Sequence, residues 1–208
     1  MKVIGFCGYS GAGKTTLVEQ LIVRLRLAGQ RVSVVKHAHH AFDIDLAGKD
    51  SWRHRQAGAF EVVIASNRRL AKIREFEIHT EPTVHQLLIE LSECDWVLVE
   101  GFKHAALPKI EIWRAEVGKP AEYLSDPHIV AIATDNFLAL PVPTNLPLLD
   151  LANPDAVVDY MLEHQAQFAY VPPAQLPPLG MTEGSDTGGT GDTGDAPGTV
   201  FKSDFPPH

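Results

Sequence analysis

The residues with the clearest chemical meaning form a glycine-rich stretch near the start of the chain, Gly8-Tyr9-Ser10-Gly11-Ala12-Gly13-Lys14-Thr15. This stretch satisfies the Walker A pattern G-x-x-x-x-G-K-[ST], with an apolar segment before it and a helical pattern after it. In this pattern the glycines let backbone N–H groups point at phosphate oxygens, the lysine reaches the outer phosphates, and the hydroxyl ligates Mg²⁺. We therefore expect a nucleoside triphosphate site with Mg²⁺ and with Lys14 in the catalytic role. The expected nucleotide contacts are Ser10, Gly11, Ala12, Gly13, Lys14, Thr15 and Thr16.

A second acidic group is expected next to such a site. Residues 95–99 (Asp-Trp-Val-Leu-Val) are nearly continuously apolar, as in a strand covered on both faces, and Glu100 follows directly. A carboxylate at that strand end can hold Mg²⁺, directly or through water. We predict Glu100 as a catalytic residue and, with Thr15, as a metal ligand; the alternative is a carboxylate that merely caps a strand end.

Histidines and charged residues gather between residues 36 and 55. His37, His39 and His40 could ligate Zn or Ni, although no cysteine is adjacent. We favour a loop in which Asp43 or Asp45 reaches toward Mg²⁺, with Asp45 as the metal ligand. The residues expected to bind a second anionic group are Lys49, Arg53 and Arg55. A solvated charged loop without a ligand is the third interpretation.

Recognition of the base is predicted at Asp135. The guanine-reading sequence N-K-x-D is absent, but the apolar segment 128–133 ends in Thr134-Asp135. A carboxylate there can accept hydrogen bonds from the ring N–H and the exocyclic amine of guanine, a pair of donors that adenine lacks. This favours GTP over ATP, whereas the alternative is an ordinary turn at Asp135-Asn136.

These residues must be positioned by alternating strands and helices. Apolar periodicity and Gly or Pro boundaries predict strands at 2–7, 31–35, 61–65, 70–74, 95–99, 109–113 and 128–133, and helices at 14–28, 51–57, 82–91 and 154–168. Such alternation predicts an α/β fold with a mostly parallel sheet and a ligand outside the carboxyl ends of the strands.

Composition sets the boundaries of the fold. Residues 171–208 hold 7 of the 16 Gly and 7 of the 15 Pro, with five acidic residues against one base. Such a segment buries too little apolar surface to fold, so we predict a nucleotide-binding domain at 1–170 and a disordered tail at 171–208.

The net charge of −8 disfavours non-specific nucleic-acid binding. With two cysteines, no signal peptide and no membrane-spanning stretch, we expect a cytoplasmic protein without nucleic-acid or membrane partners.

Several blocks in this order resemble the molybdopterin-guanine dinucleotide biosynthesis adapter family, MobB. They are Gly8 to Thr15, Lys36-His37-x-His39-His40, the stretch from Gly48 to Ala59, Leu98-Val99-Glu100-Gly101-Phe102-Lys103, and Lys109-Ile110-Glu111-x-x-Arg114. The resemblance covers residues 1–168 and implies a three-layer P-loop NTPase fold, GTP binding and a homodimer. It also implies a role beside the molybdenum cofactor guanylyltransferase, which attaches GMP to molybdopterin. The resemblance further implies that the region from His37 to Arg55 faces a second ligand, molybdopterin, together with Lys103 and Lys109. The second-ligand candidates in that region are His37, His39, His40, Lys49, Arg53 and Arg55.

Hydrolysis is expected to be slow. We identify no arginine finger and no water-positioning glutamine in the sequence, and these groups supply much of the rate in efficient GTPases. The chain would then act mainly as an adapter with weak GTPase activity. The two alternatives are a P-loop small-molecule kinase, with Lys49, Arg53 and Arg55 on the acceptor, and a metal-insertion GTPase that uses the histidine cluster.

Overall fold

The computed structural model describes residues 1–38, 42–76, 80–177 and 179. The strands are β1 (Lys2–Cys7), β2 (Val32–Lys36), β3 (Glu61–Ala65), β4 (Leu70–Arg74), β5 (Trp96–Glu100), β6 (Lys109–Ile112), β7 (Ile129–Thr134) and β8 (Leu148–Asp150). The helices are α1 (Lys14–Leu27), α2 (Asp50–Gln56), α3 (Val84–Leu88) and α4 (Pro154–Glu163). None of the helices in the described part of the chain is long and apolar enough to cross a membrane.

Six strands form one parallel sheet in the order β2-β5-β1-β6-β7-β8. This confirms the predicted mostly parallel α/β fold. Because the strands run the same way, their carboxyl ends meet at one edge of the sheet. Lys36 at the end of β2 lies in register with Glu100 at the end of β5, which in turn neighbours β1.

Helices cover both faces of this sheet, which gives the predicted three layers. On one face, α1 and α4 pack against each other and on the strands through Leu21, Leu25, Val157 and Met161, all fully buried. On the opposite face, α3 packs its Val84 and Leu88 on β5. Burial of these apolar side chains supplies the main stabilising term of the fold.

The strands β3 and β4 form a separate antiparallel hairpin, with Glu61 opposite Arg74 and Ala65 opposite Leu70. Its predicted bounds are confirmed. The hairpin contacts α2 through β3. Several of its apolar side chains face solvent, including Val63 and Leu70.

Two predicted helices are longer than the helices observed. The helix predicted at 82–91 begins after Thr83, which forms a capping box with Gln86, and ends at Leu88, beyond which the side chain of Ile89 is exposed. The helix predicted to reach 168 ends at Glu163 and continues as a 3₁₀ turn over Gln165–Phe168. The short edge strand β8 was not predicted, because it has three residues and follows a proline-rich segment.

Lys109 and Glu111 on β6 are charged residues that are buried inside the fold, and the contacts of Lys109 correct one prediction. The Lys109 side chain packs against Gly5 of β1, where an added Cβ would lie 2.5 Å from its Cγ. Its ammonium group is paired with Asp126 at 2.5 Å. Lys109 therefore does not face a second ligand, and that prediction was wrong because the side chain is needed inside the protein.

The predicted tail begins as an ordered segment. Tyr170 N donates to the carbonyl oxygen of Met1, and the Tyr170 hydroxyl lies 2.9 Å from Nδ1 of His85 on α3. Farther along, the Pro177 carbonyl accepts a hydrogen bond from Gln86 Nε2. The rest of the predicted tail, from residue 180 onward, lies outside the described residues.

Candidate functional site

A cavity of about 630 Å³ opens at the carboxyl edge of the sheet, around the glycine loop (residues 8–15). Its lining includes most of the predicted contacts together with new ones: Gly8, Tyr9, Ser10, Gly11, Gly13, Lys14, Thr15, Thr16, Lys36, His37, Glu100, Gly101, Lys103 and Glu122. Ala12 is the exception among the predicted contacts, since its side chain is buried in the core below the loop. The cavity is large enough for a nucleotide-sized ligand.

The glycines of this loop adopt conformations that other residues avoid. Gly8 has a φ of 125°, and a Cβ atom there would lie 2.3 Å from the carbonyl oxygen of Ile112. Gly13 caps the N-terminus of α1 with a φ of 99°. The loop thus turns sharply from β1 into α1, and the free N–H groups at the start of α1 face the cavity. This is the geometry that binds anions at helix N-termini.

Lys14 lies above this loop without taking part in the core. Its Nζ donates a hydrogen bond to the carbonyl oxygen of Tyr9 at 2.9 Å. The ammonium group is therefore held over the loop, within the cavity, by a contact that a phosphate oxygen can replace.

Thr15 and Glu100 meet across the cavity. The Thr15 hydroxyl donates to Oε1 of Glu100 at 2.8 Å, which joins the first turn of α1 to the end of β5. Oε2 of the same carboxylate lies 3.7 Å from the Nζ of Lys36. A hydroxyl and a carboxylate are the oxygen ligands that Mg²⁺ takes beside nucleotide phosphates, so this pair fits the ion.

Asp135 is linked to the glycine loop through an arginine. Its carboxylate lies 3.4 Å from Nε of Arg114, and a Cβ atom at Gly13 would lie 3.7 Å from an amino nitrogen of the same guanidinium. Asp135 follows β7 at the carboxyl edge of the sheet, two strands from β1. Asp135 is exposed and does not line the cavity around the glycine loop.

A second cavity of about 530 Å³ adjoins the first and shares His37, Gly101 and Lys103 with it. Apolar and aromatic groups line it, and the His37 ring packs at 5.1 Å from the Phe102 ring. The backbone at Gly101 lies close to His37, since a Cβ atom added at Gly101 would lie 3.0 Å from the Cβ of His37. His37 and Lys103 are thus the predicted second-ligand residues that the structure brings to the cavity around the glycine loop.

Asp45 and Arg55 lie elsewhere, and their predicted roles are corrected. Oδ1 of Asp45 accepts a hydrogen bond from Ser51 Oγ at 2.7 Å, and its Oδ2 lies 3.2 Å from Arg55 Nε. The same guanidinium pairs with Asp43 at 2.9 Å and with Glu75 at 2.7 Å. Asp45 is therefore occupied away from Thr15 and Glu100, and Arg55 joins the 43–45 segment to the end of the hairpin instead of facing an anionic ligand.

The remaining second-ligand candidates are not at the cavity either. Lys49 lines a shallow groove between α2 and β3, and Arg53 lies exposed on α2. His39 and His40 lie outside the described residues. Within the residues that the structure describes, no group of three or more His, Cys, Asp or Glu side chains is arranged to hold a metal ion.

Three residues of the site were missed by sequence reasoning. Lys36 and Arg114 stand at or just beyond strand ends, but their proximity to Glu100 and Gly13 depends on the strand order, which local patterns do not give. Glu122 lies in a 3₁₀ turn with no motif around it, and no sequence signal indicates it.

Cys7 also lines the cavity, but burial raises the pKa of its thiol and keeps it protonated, so it is not a nucleophile.

Comparisons with known proteins agree on one family. The sequence model of "MobB: Molybdopterin guanine dinucleotide synthesis protein B" matches residues 3–135. The molybdopterin-guanine dinucleotide biosynthesis adapter protein of Escherichia coli (strain K12) is 37% identical over 164 residues, which cover 77% of this chain and 91% of that protein. The protein of the same description from Haemophilus influenzae is 38% identical over 159 residues, covering 76% and 86%.

Solved structures have the same fold. The crystal structure of Bacillus subtilis MobB covers 81% of this chain and 99% of its own, with a TM-score of 0.62 at 24% identity. A crystal structure of molybdopterin-guanine biosynthesis protein B covers 77% and 98%, with a TM-score of 0.57 at 28% identity. Since the family model spans more than half of the sequence and the two adapter proteins align over most of their length, the chain belongs to the MobB family.

Proposed function

We propose that this chain is a GTP-binding adapter in the biosynthesis of molybdopterin guanine dinucleotide. The observation that carries the proposal is the joining of Lys14, Thr15 and Glu100 around one cavity at the carboxyl edge of the sheet. The glycine loop and Lys14 would hold the phosphates, and Thr15 and Glu100 would hold Mg²⁺. Bound Mg²⁺ would neutralise phosphate charge and orient the outer phosphate.

The position of Asp135 supports guanine as the base. It stands beyond the glycine loop at the end of β7, and Arg114 holds its carboxylate from one side. The two carboxylate oxygens can accept from the two adjacent N–H donors of a guanine base. Adenine presents one donor and one acceptor on the corresponding edge, so a carboxylate there disfavours ATP.

Weak hydrolysis follows from the residues around the cavity. Among its described lining residues there is no glutamine to orient a water molecule, and the nearby Arg114 is engaged by Asp135. Since these groups supply much of the acceleration in efficient GTPases, we propose slow turnover and a role based on binding.

The neighbouring cavity supports a second ligand beside the nucleotide. It is largely apolar, with Phe102 as an aromatic wall and His37 and Lys103 at the boundary between the cavities. A flat heteroaromatic compound with a phosphate group, such as molybdopterin, suits that combination. The partner protein we propose is the molybdenum cofactor guanylyltransferase, which would meet the chain at this edge and in the cytoplasm.

The hairpin supports a homodimer. Its exposed apolar side chains Val63 and Leu70 lie on one face of the hairpin, which a second copy of the chain would bury. Sedimentation analysis tests this, because replacing Val63 and Leu70 by Glu would convert a dimer to a monomer. An unchanged sedimentation coefficient in the folded variant would place the interface elsewhere.

The adapter role is tested by binding to the purified guanylyltransferase with and without a non-hydrolysable GTP analogue. We expect the analogue with Mg²⁺ to change the affinity for the transferase, and Lys14→Ala to remove that change while leaving the fold intact. Phosphoryl transfer from ATP to a small acceptor without any transferase binding would instead indicate a kinase.

A further inference from the structure

Lys109 and Glu111 are buried on β6 with opposite charges, and each holds a loop beside the glycine loop. Lys109 Nζ donates to the carbonyl oxygens of Lys103 at 2.6 Å and Ala105 at 2.9 Å, in addition to its ion pair with Asp126. A buried ammonium group with all three donors engaged fixes the backbone that surrounds it. The backbone at Lys103 is therefore anchored from below.

Glu111 anchors the facing turn in the same manner. Its two carboxylate oxygens accept hydrogen bonds from the backbone N–H groups of Glu122 at 2.6 Å and Tyr123 at 2.7 Å. The carboxylate is fully buried, and these two bonds offset part of the cost of its desolvation. The turn that carries Glu122 is thereby held at the cavity.

The two anchored loops bring the side chains of Lys103 and Glu122 together on the cavity wall. Nζ of Lys103 lies 4.0 Å from Oε1 of Glu122, and it also lies 6.0 Å from the ring centre of Tyr9 in the glycine loop. Since the Tyr9 carbonyl is the contact of Lys14, the two ammonium groups flank one residue of the loop. Lys103 is about half exposed, and a charge pair of this kind contributes little stability, so its partner can be exchanged at low cost.

We propose that Lys103 contacts the terminal phosphate of a bound nucleoside triphosphate and that Glu122 is its partner when that phosphate is absent. The inference rests on the proposed nucleotide binding and goes beyond it. The terminal phosphate offers Lys103 more negative charge than the single carboxylate does, so the ammonium group exchanges partners. The exchange couples the nucleotide state to the loops around Lys103 and Glu122, which are two walls of the site.

The test is calorimetric titration of the full chain with Mg²⁺ and either a non-hydrolysable GTP analogue or GDP. Lys103→Gln should weaken binding of the analogue by about tenfold, the effect of losing one charge-assisted hydrogen bond, and leave GDP binding unchanged. Glu122→Gln should tighten binding of the analogue, because the competing carboxylate charge is removed. Lys119→Gln, which removes an exposed lysine outside the cavity, is the matched control and should change neither affinity.

An equal loss of both ligands in Lys103→Gln, or no loss of either, would overturn the proposal. Weaker binding of the analogue in Glu122→Gln would overturn it as well. Lys109→Met should weaken binding of the GTP analogue relative to GDP, as Lys103→Gln does. If the Lys109→Met chain does not fold, the Lys103 and Glu122 variants decide alone. A wild-type chain that binds neither the GTP analogue nor GDP would refute the nucleotide site itself. If the wild type binds both and Lys103→Gln keeps the wild-type ratio of the two affinities, only this inference is refuted.

Discussion

Thr15 and Glu100 are 85 positions apart in the sequence, and their side chains share a hydrogen bond of 2.8 Å. The bond exists because β1 and β5 are neighbours and parallel, so that the start of α1 faces the end of β5. Lys36 approaches the same carboxylate from β2 on the other side. The hydroxyl, the carboxylate and the two lysines Lys14 and Lys36 together form the charged centre of the site.

Replacement of this carboxylate is expected to uncouple nucleotide binding from Mg²⁺. Glu100→Gln keeps the size of the side chain but removes the charge that attracts the ion or its water shell. We expect the stimulation of nucleotide binding by Mg²⁺ to fall by about tenfold, which corresponds to about 1.4 kcal/mol. Titration of the nucleotide with Mg²⁺ and with EDTA measures this, and Glu116→Gln, an exposed site away from the cavity, is the control. An unaltered Mg²⁺ dependence would remove Glu100 from the metal site.

Asp135→Asn is expected to change which base is bound. The amide keeps one acceptor but replaces the second oxygen by a donor, which opposes the amine of guanine and suits the carbonyl of xanthine. We expect weaker GTP binding by about tenfold and improved XTP binding. Competition titration with the two nucleotides measures the ratio, with Asp159→Asn on the exposed face of α4 as control. If GTP and XTP affinities keep the wild-type ratio, the base lies elsewhere.

Arg55 is expected to act on stability and not on ligand binding. Three carboxylates surround its guanidinium. The pKa of Asp43 is lowered chiefly by a hydrogen bond from the backbone N–H of Asp45, and the hydrogen bond and charge of Arg55 lower it further. Arg55→Ala should lower the thermal unfolding midpoint more than Arg53→Ala, because Arg53 is exposed on α2. Nucleotide affinity should stay unchanged in both variants. Scanning calorimetry and nucleotide titration separate the two effects, and a loss of nucleotide affinity confined to Arg55→Ala would restore a ligand role for this residue.

The pair of Lys109 and Asp126 predicts a dependence of stability on acid. Burial raises the pKa of Asp126, but the hydrogen bonds from Lys109 and from the backbone N–H of His128, together with the charge of Lys109, outweigh it and hold the pKa below the ordinary value of 3.8. A carboxyl group with a lowered pKa in the folded state stabilises the protein above its unfolded pKa. That contribution is lost as the pH falls through the folded pKa.

Asp126→Asn should therefore cost about 3 kcal/mol at neutral pH, because a buried ammonium group loses its partner. The difference from the wild type should begin to shrink below about pH 4, where the carboxyl of the unfolded wild type is protonated, and should continue to shrink as the pH falls through the lower pKa of the folded state. Glu111 acts with the opposite sign, since burial raises its pKa and its contribution falls as the pH rises, but it is present in both proteins. Urea unfolding across this pH range checks the prediction, and a difference that does not depend on pH would contradict it.

The sequence was sufficient for the order of the helices and of the strands except β8, and for the residues that carry a motif of their own. The glycine loop and Glu100 could be placed at one edge of the sheet because each directly follows an apolar strand. Lys36 and Arg114 could not, because their positions follow from β2 lying beside β5 and β6 beside β1. The sequence shows the charged residues between 43 and 55, but it does not show which of them form ion pairs. One partner of Arg55 is Glu75, which follows the hairpin and is 20 positions away in the sequence.

The most direct test of the account is calorimetric titration of the wild-type chain with non-hydrolysable GTP and ATP analogues in the presence of Mg²⁺. Lys14→Ala is the matched variant, because the Nζ of Lys14 contacts only a loop carbonyl among the hydrogen bonds described above. We expect selective binding of the GTP analogue by the wild type and loss of that binding in a folded Lys14→Ala chain. Equal or tighter binding of the ATP analogue, or undiminished binding by the variant, would contradict the proposed guanine-nucleotide site.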